Sequence, residues 1–479
     1  MRSIRFSLGV TRLLALTSIW LGSGSSLPNP SPSIERDTTP KDDNNVITRD
    51  IAIIGGGASG TYAAIRLREM GQSVVLIERE AQLGGHTDTY YGAGVPIEHG
   101  VWVYSNTSEA RSFFEHFNIP VQPQIFSTDP AATQRYDFRT GEFVAPPAGN
   151  VTDAVMRYVL QLLQYPYLAD GWDMPDPVPK DLLLSFGDFI EKYDLGPAVE
   201  TLTLYVQGYA DVLNYPTVYA MKYFNLNVVQ GIQTGFLRPV SQDNQATYRA
   251  AEAELGNDVL LSSTIVGMDR SDSDSDSDLH TVFVNTPSGP QRIQATKIII
   301  TIPPLLENLE AFDLDPRETT IFRRFQRSSY YSTVMHLPGL PAGVQFINEG
   351  TDTPYHITPI PGTYVVTPSA VEDVRVAFIG GGDRALPREE VEQLVVENVL
   401  ALRSAGFPVS EPEILAFADH YPFGLHVSAE EIVGGFYREL YGLQGYRNTF
   451  YSGAAFHEHD SGALWRFTER VLQERVLAA

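Results

Sequence analysis

The spacing Gly55-x-Gly57-x-x-Gly60 limits the fold of this chain more sharply than any other feature of it. A β-branched run, Asp50 to Ile54, leads into it, and a run with helical periodicity, Ser59 to Met70, leads out. Ser73 to Ile77 then reads as a second strand, ending at Glu78, so the opening is a βαβ unit. In such a unit Gly55 permits the tight turn, Gly57 keeps a side chain away from a pyrophosphate, and Gly60 lets helix and strand pack closely. The phosphates of a dinucleotide then meet the positive end of the helix. A carboxylate at Glu78 suits ribose hydroxyls and repels a ribose phosphate, which favours FAD or NAD over NADP.

The rest of the composition narrows the partners. With 34 Lys and Arg against 58 Asp and Glu, the net charge of -24 disfavours nucleic acid and leaves a small molecule as the expected substrate. No cysteine is present, which excludes disulfides, thiolate metal sites and a flavin tethered through sulfur.

At the start of the chain, Arg2, Arg5 and Arg12 precede an apolar run, Leu13 to Leu21, and small residues follow to Ser26. This order predicts a secretory signal peptide over 1–26, cleaved or acting as a weak anchor, and the run is too short for a stable membrane span. A secreted or lumenal location follows, and the sequons at Asn106 and Asn150 are compatible with it. Residues 27–45 are polar and proline-rich and read as a flexible lead-in.

The expected fold class is α/β. A Rossmann-like nucleotide domain is assembled from 46–107, 237–304 and 413–479, and an α+β substrate-binding cap from 108–236 and 305–412. The acidic run Ser271 to Asp278 reads as a solvated hairpin tip, since it lacks the glycine and terminal glutamate of a calcium loop. "FIGGGD", Phe378 to Asp383, lacks the continuation of a second nucleotide motif, which argues against an NADPH-dependent monooxygenase.

Three stretches in order carry a resemblance. "REAQLGGHTDTYY" resembles the glycine pair after the second strand in the amine oxidase and phytoene desaturase superfamily of FAD enzymes. "DVLLSSTIVGM" with "KIIITIPP" resembles that superfamily's middle segment, and "YSGAAFHEHDSGALWRF" its last. The likeness implies FAD bound in an amine oxidase or p-hydroxybenzoate hydroxylase type of fold. It further implies contacts from Gly85, a backbone group at Ile265, Gly453 beside the ribityl chain, and a helix starting near Ser461-Gly462. The amide of Leu464 would then face the flavin pyrimidine. "IIGGGASGTYAAIRL" and "PIEHGVWVY" are similar to the fungal FAD-dependent oxidoreductases typified by beta-cyclopiazonate dehydrogenase. That similarity implies a flavin accepting hydride from a terpenoid, alkaloid or polyketide-derived intermediate, with desaturation or oxidative ring closure. A secreted amine oxidase releasing aldehyde and peroxide is the alternative.

Two departures from the pattern matter. His86 stands where members carry arginine, and both a flavin contact and a structural role are open to it. Ala463 stands where amine oxidases place an aromatic ring, although Tyr421 matches another such position. No catalytic residue can be named, because the cofactor does the hard chemistry. Tyr421, His459 and Asp460 are the candidates near the flavin. Glu98, Trp102, Tyr104, Tyr330 and Tyr331 are pocket candidates for which core packing is the competing role. The run His457 to Asp460 reads either as a helix-capping loop or as part of the flavin site, and adjacent residues make a metal centre the weaker reading.

Overall fold

A computed structural model describes residues 45–92, 94–126, 130–270 and 279–478. The expected leader, most of the lead-in and the acidic run at 271–278 lie outside the described residues.

The opening unit forms as its pattern dictates. Strand β1, Val46–Ile54, and strand β2, Val74–Ile77, pair in parallel, Ile51 opposite Val74 through Ile54 opposite Ile77. Ile51 to Ile54 and all of β2 are buried, as the strands of a parallel sheet covered on both faces must be. Helix α1, Ala58–Glu69, packs against them and against the closing helix Ser461–Val471.

Seven strands make the first sheet. Its order is Thr264–Asp269, His280–Thr286, Gly289–Ile300, β1, β2 and Val259–Leu260, and Thr449–Tyr451 also joins Gly289–Ile300. The long strand Gly289–Ile300 is the seam. Its first half pairs antiparallel with His280–Thr286, Arg292 to Ile300 pair in parallel with β1, and its last three residues pair with Thr449–Tyr451. One strand therefore holds three distant parts of the chain in register.

A second sheet of eight strands carries the cap. Its order is Glu413–Asp419, Gln326–His336, Val374–Gly382, Gly362–Pro368, Gln345–Asn348, Thr133–Asp137 and Glu142–Phe143, with Phe423–His426 also paired to Gln326–His336. Helix Arg388–Ala401 covers this sheet, and short helices between Val151 and Thr234 complete the cap. The expected division at residue 413 is corrected here. Glu413–Asp419 and Phe423–His426 hydrogen-bond to Gln326–His336, so the chain leaves the cap sheet only after His426. The cause is register: Tyr331 to His336 already pair with Ile379 to Val374 on one edge and need a partner on the other. "FIGGGD" lies in Val374–Gly382, with Gly380 and Gly381 packed against Tyr364 and Tyr331.

A buried ionic cluster ties the helix Pro316–Phe322 to the first sheet. Arg270, fully buried, donates to Glu318 at 2.6 and 2.9 Å and to Asp313 at 2.7 Å. Glu318, equally buried, also accepts from the hydroxyl of Tyr451 at 2.9 Å. Removing one partner of such a cluster leaves an uncompensated buried charge. Arg270→Met should therefore lose about 3–5 kcal/mol of stability, read as a lower urea midpoint at unchanged slope.

Candidate functional site

One large cavity, about 980 Å³, runs from the ends of β1 and β2 to the start of the closing helix. That is the upper range for small-molecule sites, about 300–1,000 Å³. Gly55, Gly57, Glu78, Gly85, His86, Ile265, Tyr421, Gly453, His459 and Leu464 line it. Gly60, Asp460 and Gly462, expected with them, do not.

The turn after β1 shows why each glycine is there. A Cβ on Gly60 would lie 1.8 Å from the Gly55 carbonyl oxygen and 2.8 Å from Thr301 Oγ1, so this position serves the packing of α1 onto the turn. Gly57 is different. Its backbone, at φ -70° and ψ -169°, suits any residue, and a Cβ would meet nothing closer than Gly85 Cα at 3.7 Å. Gly85, at φ +57°, faces it in turn, its own Cβ falling 2.9 Å from Gly57 Cα. Two bare backbones thus form the wall of the cavity where a side chain would otherwise stand, a cradle of the kind a pyrophosphate needs.

Glu78 ends β2 with its carboxylate turned back to that turn. One oxygen accepts from the Gly56 amide at 2.6 Å and the other from the Glu80 amide at 2.8 Å. Each oxygen keeps an accepting lone pair, and the residue lines the cavity beside Arg79, Ser263 and Ile265.

At the other end, the run before the closing helix divides its duties. Asp460 is the N-cap: one oxygen accepts from the Ala463 amide at 2.8 Å, and the other from the Ser105 amide at 3.3 Å. The capping role proposed for this run is therefore the one Asp460 performs. Gly462 packs the helix against the Ser105 carbonyl, where a Cβ would sit at 2.6 Å. The donor expected at Leu464 is corrected. Its amide already bonds the Asp460 carbonyl at 2.8 Å, because Leu464 is the first residue deep enough in the helix to have an internal acceptor. Among the described residues the amides of Ser461 and Gly462 have no acceptor, and they carry the positive end of the helix dipole. Ala463 is fully buried and presents no ring.

Between these ends His86 and His459 line the cavity, with His420 and Phe423 packed behind them. His86 lies 4.8 Å from His420 and 6.3 Å from His459 between centroids, and His459 lies 4.0 Å from Phe423. Enclosure pushes His86 down to about 4, with the charge of Arg79 adding. It pushes His459 down to about 3, and it drives His420 well below the usual range. Asp88, also on the wall, rises to about 6 through burial and the nearby Glu80. Tyr421 sits on the link between two cap strands, its hydroxyl accepting from Arg327 Nε at 2.6 Å. Tyr330 stands behind, 5.0 Å from Phe423, donating to Gln207 at 2.9 Å.

The other candidates are structural. Tyr104 is buried against Trp465 at 5.3 Å, and Tyr331 accepts from the Leu386 amide inside the cap core. Trp102 donates to the Glu98 carbonyl at 2.7 Å, and Glu98 accepts from the Asn244 amide and the Thr89 hydroxyl. None of these four lines the cavity. Sequence reasoning missed Asp88, Thr301 and Phe312. Asp88 lies two residues after His86 and was within reach, whereas nothing local marks Thr301 or Phe312. Among the described residues, no cluster of three or more His, Asp or Glu is placed to hold a metal ion.

Comparison with known proteins agrees with this geometry. Residues 53–118 match the model of the NAD(P)-binding Rossmann-like domain. The chain is 36% identical to the FAD-dependent oxidoreductase pigF of Monascus ruber, over 97% of this chain and 98% of that protein. It is 35% identical to the beta-cyclopiazonate dehydrogenase of Aspergillus flavus, over 90% and 93%. Among solved structures, a fatty acid isomerase from P. acnes that produces CLA shares the fold at TM-score 0.72 and 21% identity, covering 89% of this chain and 98% of that one. Putrescine oxidase bound to putrescine does so at 0.63 and 18%, covering 91% and 100%.

The neutral wall has a pH consequence. His86 and His459 have folded-state values depressed below the usual 6.5, so the unfolded chain binds protons first on acidification. Their contribution to stability is complete above about 6.5 and is lost as pH falls toward 4. The urea midpoint should fall across that window, and the imidazole NMR signals of both residues should stay in the neutral position down to pH 5.

Proposed function

The chain belongs to the fungal FAD-dependent oxidoreductases, and from that premise we propose that it binds FAD in the large cavity and oxidises a secondary-metabolite intermediate. The substrate is a terpenoid, alkaloid or polyketide-derived skeleton, and the outcome is desaturation or oxidative ring closure. The observation that carries this reading is the cavity itself, which joins the Gly57–Gly85 cradle and Glu78 at one end to the first turn of the closing helix at the other.

FAD supplies the acceptor for a hydride from the substrate. The chain's own residues do the rest. Gly57 and Gly85 leave room for the pyrophosphate, and the Gly56 and Glu80 amides aim the Glu78 carboxylate at the ribose hydroxyls. The Ser461 amide, at the positive end of the closing helix, offers a donor to an electron-rich ring edge. His86 and His459 line the cavity as imidazoles that carry no charge near neutral pH, a local surface that suits an apolar carbon skeleton. The absence of a ring at Ala463 also removes part of the aromatic enclosure of an amine oxidase. The basic and apolar leader over 1–26 supports a route through the secretory pathway.

Gly57→Val tests the cofactor site, because its backbone tolerates a side chain and a Cβ there meets nothing closer than Gly85 Cα at 3.7 Å. The variant should keep its melting temperature as apoprotein. Overfilling by about 1–3 kcal/mol should weaken flavin retention about ten- to a hundredfold. A variant with the yellow colour and flavin content of the parent would refute the assignment. Deleting the gene in its host should cause a more saturated or uncyclised intermediate to accumulate, and the purified enzyme should convert that compound; accumulation of a simple amine would overturn the substrate reading.

A further inference from the structure

A line of buried ionisable side chains lies just before the closing helix, outside the cavity. Lys222, on the cap helix Thr217–Tyr223, is 1% exposed. Its ammonium donates to the carbonyls of Leu168 at 2.7 Å and Gly171 at 3.3 Å, and to Nδ1 of His457 at 2.9 Å, with the Trp172 ring 5.0 Å away. An ammonium has only donors, so Nδ1 accepts and the ring proton of neutral His457 sits on Nε2. That Nε2 lies 3.5 Å from Glu458 Oε1, and neither atom has a closer partner. The other oxygen of Glu458 accepts from Asn225 Nδ2 at 2.7 Å. Lysine, imidazole and carboxylate therefore stand in a row, all fully enclosed, bridging the cap to the nucleotide side of the fold.

The surroundings make the row's charge state finely balanced. Burial pushes Lys222 down to about 8 and Glu458 up to about 8, while their mutual attraction opposes both shifts. Asp170, Arg466 and Arg470 also face Lys222, and Asp460 and Arg466 face Glu458. Burial and the neighbouring Lys222 hold His457 well below the usual range, so it passes a proton without keeping one. Two residues of the same loop, His459 and Ser461, line the cavity. Negative charge gathering there would face the Glu458 and Asp460 carboxylates in a poorly screened interior.

We propose that Lys222, His457 and Glu458 form an internal proton relay that neutralises Glu458 when negative charge builds up in the cavity, a role that rests on the flavin reading above. The Nζ–H bond of Lys222 breaks as its proton joins His457 Nδ1, and the Nε2–H bond breaks as that proton joins Glu458 Oε1. The ammonium becomes an amine, the imidazole ends neutral in its other tautomer, and the carboxylate ends as a carboxylic acid. Nothing is oxidised, and no proton crosses from solvent.

Redox-difference infrared spectroscopy of the flavin-loaded protein reads that proton directly, with dithionite as reductant and visible absorbance followed in parallel. Reduction should bring up a carboxylic-acid C=O band that shifts in D₂O. Glu458→Gln should lose the band. Lys222→Arg keeps the cation but cannot release its proton, so it should lose the band as well, which a merely structural lysine would not require. Complete bleaching of the flavin without the band in the parent protein overturns the relay, as does a band that survives in either variant. A protein with no flavin absorbance after reconstitution overturns the cofactor reading, and the relay with it.

Discussion

Everything in the site is referred to one close approach, that of α1 to the turn at the end of β1. Thr301, leaving the seam strand, places its hydroxyl 2.9 Å from the carbonyl oxygens of both Ile54 and Gly55 and donates its amide to Ile54. Gly60 must then carry no side chain, because the space it would need is filled by Gly55 and Thr301. Gly453 approaches the Thr301 carbonyl from the other side, where a Cβ would fall at 2.9 Å. Three segments far apart in sequence meet at Thr301, and the start of α1, the cavity floor and the last strand share that one reference point.

A second constraint is electrical. The chain carries a net charge of -24, yet two imidazoles on the cavity wall, His86 and His459, are kept neutral by enclosure. Buried charge is concentrated elsewhere, in the Arg270 cluster that braces the nucleotide layer and in the Lys222 row before the closing helix. Both are paired, as burial demands.

Much of the fold was legible because its signals are local. The run "DIAII", the glycine spacing and "VVLIE" prescribe strand, turn, helix and strand through periodicity and steric need alone. Asp460 was legible as a cap because a short acceptor side chain before a helical run has one favourable use. The strands at 413–426 were misassigned to the nucleotide layer because their alternation fits either sheet, and only the free edge of Gln326–His336 decides between them. Leu464 was misread for a related reason. Which amide of a first turn is free depends on where the cap sits, and sequence places helix starts only to within a residue or two.

The sequence by itself determined the βαβ opening, the carboxylate at the end of β2, the family, and the expectation of FAD, because each follows from residue type at fixed spacing or from likeness in order along the chain. Only the tertiary structure decided that Gly57 faces Gly85 across an open wall, that His86 and His459 share the cavity wall with His420 packed behind His86, and that Lys222 reaches Glu458 through His457. These are contacts between residues up to several hundred positions apart. Their physical chemistry comes from enclosure, which has no counterpart in the linear chain.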